Sequence, residues 1–191
     1  MSKLFYPWKT PVRLDSFHFM RRFNEGLYTE HHPLYGTFCS KLSSCIFQWD
    51  KKDVKDLKEA KHEEWKKNHG GMAPTDAQLM ASISPGEMKR HCRRETRPVE
   101  VIRTMISGLL HSVDGLTDTT GLVCSKSMAG VWAKQQKHLE CLQDPHGVDL
   151  YTKAGTVQKG GKELQVIKCA RGSSSLESFH RHQCAFIPGK P

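Results

Sequence analysis

The feature that most restricts what this chain can fold into lies near its end. Lys159-Gly160-Gly161-Lys162 separates two strand-like runs, Val148 to Val157 and Leu164 to Cys169. Adjacent glycines accept the positive backbone angles of a tight turn, so the segment predicts a β-hairpin. Gly172, three serines and a short amphipathic helix over about Ser175 to Cys184 follow, and that helix carries Glu177. Ser174-x-x-Glu177 has the spacing of a capping box, in which the glutamate reaches back to the backbone of the cap residue. A carboxylate at the mouth of a strand-to-helix turn is also placed to hold a divalent metal. Both readings of Glu177 stand at this point.

Ahead of the hairpin the chain is punctuated for helices. Residues 1–11 read as irregular, because Pro7 and Pro11 interrupt any regular element. Val12-Arg13-Leu14 predicts a short strand. Asp15 or Ser16 then caps a helix that runs through Phe19, Met20 and Phe23 to Gly26. Pro33 opens a second helix, in which Leu34, Phe38, Leu42, Cys45, Ile46 and Trp49 recur at spacings of three and four and form one buried face. Asp50 caps a third, carrying Val54, Leu57 and Trp65 and ending at His69-Gly70-Gly71. Its outer residues mix both charge signs and read as a solvated face.

Two short helices come next, one from Thr75 to Ile83 and one entered through Ser84-Pro85-Gly86-Glu87. The second leads into the densest basic stretch. Pro98 opens a helix with Val99, Ile102, Ile106, Leu109 and Leu110 inward, residues 113–124 form a loop, and a further helix runs from about Ser127 to Cys141. The fold class expected is therefore mainly α with a short C-terminal β-hairpin and helix. The chain divides into an irregular segment 1–11, a strand plus helical region 12–147, and a hairpin plus terminal helix 148–191.

The 191 residues suffice for one domain with a core, or one domain and an appendage. The chain is polar for a self-sufficient globule, with a mean hydropathy of -0.57. Lys and Arg number 29 against 20 Asp and Glu, a net charge of +9, which suits a polyanionic partner, nucleic acid first. Seven cysteines with no C-x-x-C pair are expected as free thiols in a reducing compartment. No apolar run has the length of a signal-peptide core or of a membrane span, so the expectation is an intracellular protein, nuclear or cytoplasmic, with no membrane partner.

Three constellations carry candidate chemistry. Asp15-x-x-His18 places two polar side chains on one helical face, either as a cap and its neighbour or as a pair beside a metal. Glu177 and His180 share a face in the same way. His180-x-His182-x-Cys184 does not converge as tetrahedral zinc requires, and His31-His32 with Cys39 and Cys45 lacks a zinc-finger spacing, so no metal site is assigned. Third, Lys89, Arg90, Arg93, Arg94 and Arg97 form a basic segment. If its helix continues, positions 90, 93, 94 and 97 share a face able to neutralise phosphates, or to pair with Glu87, Glu95 and Glu100. No Walker-type loop, G-x-G-x-x-G or G-x-S-x-G elbow is present.

Taken together, LDSFHFMRRF near the start and ARGSSSLESFHRH near the end resemble the later part of a eukaryotic DDE transposase-type domain. GVDLYTKAGTVQKGGKELQVIKCARGSSSLESFH resembles the segment that closes the catalytic core in transposase-derived proteins of animal genomes. The resemblance covers about Val12 to Pro188. It implies an RNase H-like core interrupted by an all-helical insertion. In the Mutator-like and hAT-like cut-and-paste families a C/D-x-x-H motif precedes that insertion, and Asp15-Ser16-Phe17-His18 matches it. Glu177 matches the final catalytic glutamate on the last core helix. The implied chemistry is carboxylates converging on Mg²⁺ or Mn²⁺, which activates water or a 3′ hydroxyl and stabilises the leaving oxygen.

The family pattern also has two earlier aspartates on core strands, and residues 1–14 contain neither Asp nor Glu. The expectation is thus a fragment or a truncated, domesticated relative. It keeps a partial RNase H-like core, lacks nuclease and transposase activity, and needs no cofactor unless the site is completed. The leading function is a catalytically incomplete DNA-binding protein with weak, non-specific affinity. The alternatives are a metal-dependent DNA-processing enzyme completed by missing sequence or a second chain, and a helical protein–protein interaction module. Exposed edges at Val12–Leu14 and at the hairpin would favour a homo-oligomer.

Overall fold

The computed structural model describes residues 13–117, 119, 125, 127–172 and 177–182. The N-terminal end of the expected first strand, the cap residue Ser174, and Cys184 lie outside them. In chain order the elements are α1 (Ser16–Arg21), α2 (Tyr35–Ile46), β1 (Phe47–Trp49), α3 (Lys51–Asn68), α4 (Asp76–Ser82), α5 (Pro85–His91), β2 (Arg94–Thr96), α6 (Val99–Val113), α7 (Met128–Gln135), β3 (Tyr151–Lys159) and β4 (Lys162–Cys169). Residues 177–182 are helical as well. The mainly helical class holds, with two small two-stranded sheets, β1-β2 and β3-β4. No helix among the described residues is long and apolar enough to cross a membrane.

The chain forms two compact units, Met1–Ile46 with Thr96–Gly147 and Gly172–Pro191, and Phe47–Glu95 with Val148–Arg171. The boundary expected from sequence at 147/148 falls where the chain passes from the first unit to the second, but the chain also passes between them at 46/47, 95/96 and 171/172, so neither unit is one continuous stretch.

In the first unit α1 passes directly into a 3-10 turn over Arg22–Gly26. Leu14 is not in a strand; its N–H donates to the carbonyl of Cys141 at 2.8 Å. The expected strand fails over its described residues because Asp15 accepts from the N–H of Phe17 at 2.7 Å and starts the helix at once. The core gathers Phe19, Phe23, Phe38, Leu42, Ile46, Ile102, Ile106 and Leu139, all fully buried. Phe23 meets Phe19 edge-on at 5.5 Å and Trp132 at 6.2 Å. Gly26 permits the close approach of α7, since a Cβ there would lie 2.6 Å from Met128 Sδ. The helix expected to reach Cys141 ends at Gln135 and breaks into 3-10 turns at Gln136–His138 and Glu140–Leu142.

In the second unit the local start signals act as the sequence predicts. Asp50 accepts from the N–H groups of Lys52 and Asp53 and starts α3. Thr75 with Gln78, and Ser84 with Glu87, form complete capping boxes for α4 and α5. The core is small: Leu57, Ala60, Ile83, Cys92 and Leu164, flanked by Trp49, Val54 and Met88.

Strands β3 and β4 pair antiparallel from Tyr151↔Cys169 to Lys159↔Lys162, with a bulge between Lys153 and Gly155. Gly160 and Gly161 have φ of 56° and 83°, as the expected two-residue turn requires. This turn sits directly on the backbone of α3 at Ala60. The charged face of α3, expected to be solvated, is therefore partly covered. Lys159 bonds Glu87 and lies 3.7 Å from Glu64. Lys162 bonds Glu59 and lies 3.8 Å from Asp56. Lys61 bridges Glu64 at 3.0 Å and Glu87 at 3.2 Å.

Candidate functional site

Asp15, His18 and Glu177 all belong to the first unit. Asp15 is the N-cap of α1, and His18 lies one turn along, on the exposed side of that short helix. Glu177 lies in the helical residues 177–182. The imidazole Nε2 of His18 and Oε1 of Glu177 are 3.1 Å apart, across 159 residues of sequence. Gly172 approaches the same place, for a Cβ built on it would lie 3.4 Å from Asp15 Oδ2. Residues 15–18 and Glu177 thus come together, though neither periodicity nor spacing required it. Of the two readings of Glu177, the structure supplies a partner in His18; the capping partner Ser174 is outside the described residues.

The donor set is a poor fit for Mg²⁺ or Mn²⁺. Hard divalent cations take oxygen ligands in number. Here Glu177 faces an imidazole nitrogen, and one carboxylate oxygen of Asp15 accepts from a backbone N–H. Among the described residues no group of three or more His, Cys, Asp or Glu side chains converges as metal ligands do.

The basic segment lies differently from its expected arrangement. Helix α5 stops at His91, and Cys92 turns into extended backbone with its N–H still bonded to the carbonyl of Met88. Cys92 is buried in the second unit's core, so the chain cannot continue as an exposed helix through it. Positions 90, 93, 94 and 97 consequently share no helical face. Lys89 and Arg90 are exposed on α5. Arg93 grips Asp53 through Nε at 2.7 Å, Nη2 at 2.9 Å and its backbone N–H at 2.9 Å. Burial alone would push the Asp53 carboxyl up, but these bonds hold it below the usual carboxylate range. Burial pushes the neighbouring Cys92 thiol up to about 12, helped by Asp53, Asp50 and Asp56.

Arg94 and Arg171 are committed to aromatic faces. The Arg94 guanidinium lies 4.9 Å from the Phe47 ring centre and 5.4 Å from that of Trp49. Arg171 lies 5.0 Å from Phe47 and 5.7 Å from Tyr151. The Tyr151 hydroxyl accepts from the N–H of Arg94 at 2.8 Å and donates to its carbonyl at 3.1 Å. Arg97, in the first unit, donates through Nε to the carbonyl of Ser44 at 3.1 Å.

Sequence reasoning passed over Arg21 and Arg22. They follow His18 by three and four positions, the spacing that brings helical side chains together, and with His18, Asn24, Glu25 and Glu30 they line one hollow of the first unit. That spacing in DSFHFMRRF was the available signal.

No protein-family model, curated protein or solved structure matches this chain.

Proposed function

We propose that this chain is a transposase-derived, catalytically incomplete protein that binds DNA through charge. The observation that carries the reading is the meeting of His18 and Glu177 at 3.1 Å, two residues that match separate motifs of the resembled family. On this reading the first unit keeps the end of an RNase H-like site, and the two earlier aspartates of the family pattern have no match among residues 1–14. The net charge of +9 supplies affinity by releasing counterions from phosphates, which gives weak binding with little sequence preference and steep loss with salt.

The test is anisotropy of a labelled DNA duplex titrated with the protein at several salt concentrations, together with a plasmid-nicking assay in Mg²⁺ and Mn²⁺. The expected result is salt-dependent binding, similar for unrelated sequences, and no nicking. Absence of binding at low salt would favour a protein-interaction module instead. Metal-dependent nicking would favour the second reading, a DNA-processing enzyme completed by missing sequence or another chain.

A further inference from the structure

A hollow of about 470 Å³ in the first unit is lined by His18, Arg21, Arg22, Asn24, Glu25 and Glu30. Its two guanidinium groups come from the end of α1 and the 3-10 turn that follows. Arg22 donates through Nη1 to the side-chain oxygen of Gln135 at 3.0 Å, a neutral partner that fixes the group and leaves its charge unmatched. Arg21 is exposed and enters no hydrogen bond or ion pair among the described residues. On the other rim Asn24 donates to Glu30 at 2.8 Å, and Tyr35 donates to Asn24 at 3.4 Å. Glu25 is exposed and, like Arg21, enters no such bond.

Two arginines and two glutamates therefore border one cavity without pairing across it. This contrasts with Arg93 and Asp53 of the second unit, which close on each other at 2.7 Å. Unpaired guanidinium groups in a concave site match the oxygens of a phosphate. The facing carboxylates limit how much negative charge can enter, which favours a singly charged phosphodiester over a doubly charged phosphomonoester. We infer that this hollow holds one phosphodiester group of a nucleic-acid strand, gripped by Arg21 and Arg22 with the His18 imidazole beside it. The inference rests on the DNA-binding reading above and names for it residues other than those of the basic segment 89–97.

The experiment is duplex binding by anisotropy against salt for the full chain and for Arg21→Gln, Arg22→Gln, Glu25→Gln and the pair Lys89→Gln with Arg90→Gln. Arg21 is exposed, so Arg21→Gln keeps the fold, checked by an unchanged melting temperature, even if Arg22→Gln loosens the Gln135 contact. Arg21→Gln should lower affinity severalfold and reduce the slope of log affinity against log salt by about 0.9, the loss of one phosphate contact. Glu25→Gln should tighten binding. A parent that binds DNA and an Arg21→Gln variant that binds equally well would overturn the site while leaving the DNA reading intact. A parent that binds no DNA would overturn both. In competition at matched ionic strength, a dinucleotide with one phosphodiester should displace the duplex better than inorganic phosphate; equal or better competition by inorganic phosphate would show a free-phosphate site instead.

Discussion

The two units are held by different forces. The first buries Phe19, Phe23, Phe38, Leu42, Ile46, Ile102, Ile106 and Leu139 completely. In the second, the large side chains buried to that degree are Leu57 and Cys92, among the described residues. Among the described residues its hairpin is attached through the single buried residue Leu164, one glycine turn, hydrogen bonds of Gln165 to His91 and of Tyr151 to Arg94, and lysines set against four carboxylates. Apolar burial scales with area removed from water and is insensitive to charge state. Ion pairs at a partly exposed surface weaken with salt and vanish when the carboxylates are protonated. Acid and salt should therefore loosen the second unit's hairpin while the first unit's core stays intact.

The largest effect that tests this contrast is in the first core. Phe23→Ala removes a ring packed on Phe19 and Trp132 and should cost about 3–5 kcal/mol of stability by urea melting. A loss below about 1 kcal/mol, the level of a surface change, would mean that this core is not packed as described. In the second unit the corresponding weak point is backbone. Gly160→Ala puts a Cβ at positive φ against the carbonyl of Ala60 and should cost about 1–3 kcal/mol. Amide exchange should then quicken in β3 and β4 and stay slow in α2. Equal loss of protection in both would abolish the distinction between the units.

Charge supplies the next test. Burial pushes the Glu87 carboxyl up, but Lys159, the N–H of Ser84 and Lys61 outweigh it and hold the carboxyl at about 2. A carboxylate depressed in the folded state stabilises fully above its unfolded value near 4.5, and that contribution fades as pH falls toward 2. NMR of the hairpin amides should show detachment across that window. Glu87→Gln should cost roughly 1.5 kcal/mol at neutral pH and make the acid transition shallower. Unchanged hairpin signals from neutral pH down to about 2 would show that the lysines are incidental. A smaller effect, about 1 kcal/mol, is expected for Asp15→Ala as a lost helix cap, with Asp15→Asn close to neutral.

What was legible in the sequence was local. Asp50, Thr75 and Ser84 announce their helices because a cap needs only the next three residues, and Gly160-Gly161 announces its turn for the same reason. What was hidden depends on distant partners. Trp49 follows Ile46 by three and reads as one more turn of α2, yet residues 47–49 leave the helix to pair with 94–96. The basic segment reads as one helical face until Cys92 is known to be buried. His18 and Glu177 could each be singled out by motif, but their meeting is a property of the folded first unit.

Glu177 gives the smallest and most discriminating expected change. The pair with His18 is well exposed, with the two side chains at 48% and 60%, and exposed ion pairs contribute about 0–1 kcal/mol. Glu177→Gln keeps an oxygen that can accept from an imidazole N–H and removes only the charge. Stability should shift by less than about 0.5 kcal/mol, within the range of surface substitutions, and duplex binding should hold or tighten slightly as one negative charge beside His18 disappears. Neither form should nick DNA in Mg²⁺ or Mn²⁺. Metal-dependent nicking by the parent, lost in Glu177→Gln with no change in melting temperature, would mean that the carboxylate works on a bound metal after all. The pairing with His18 would then be a resting arrangement of a complete site, and the reading of this chain as catalytically incomplete would fall.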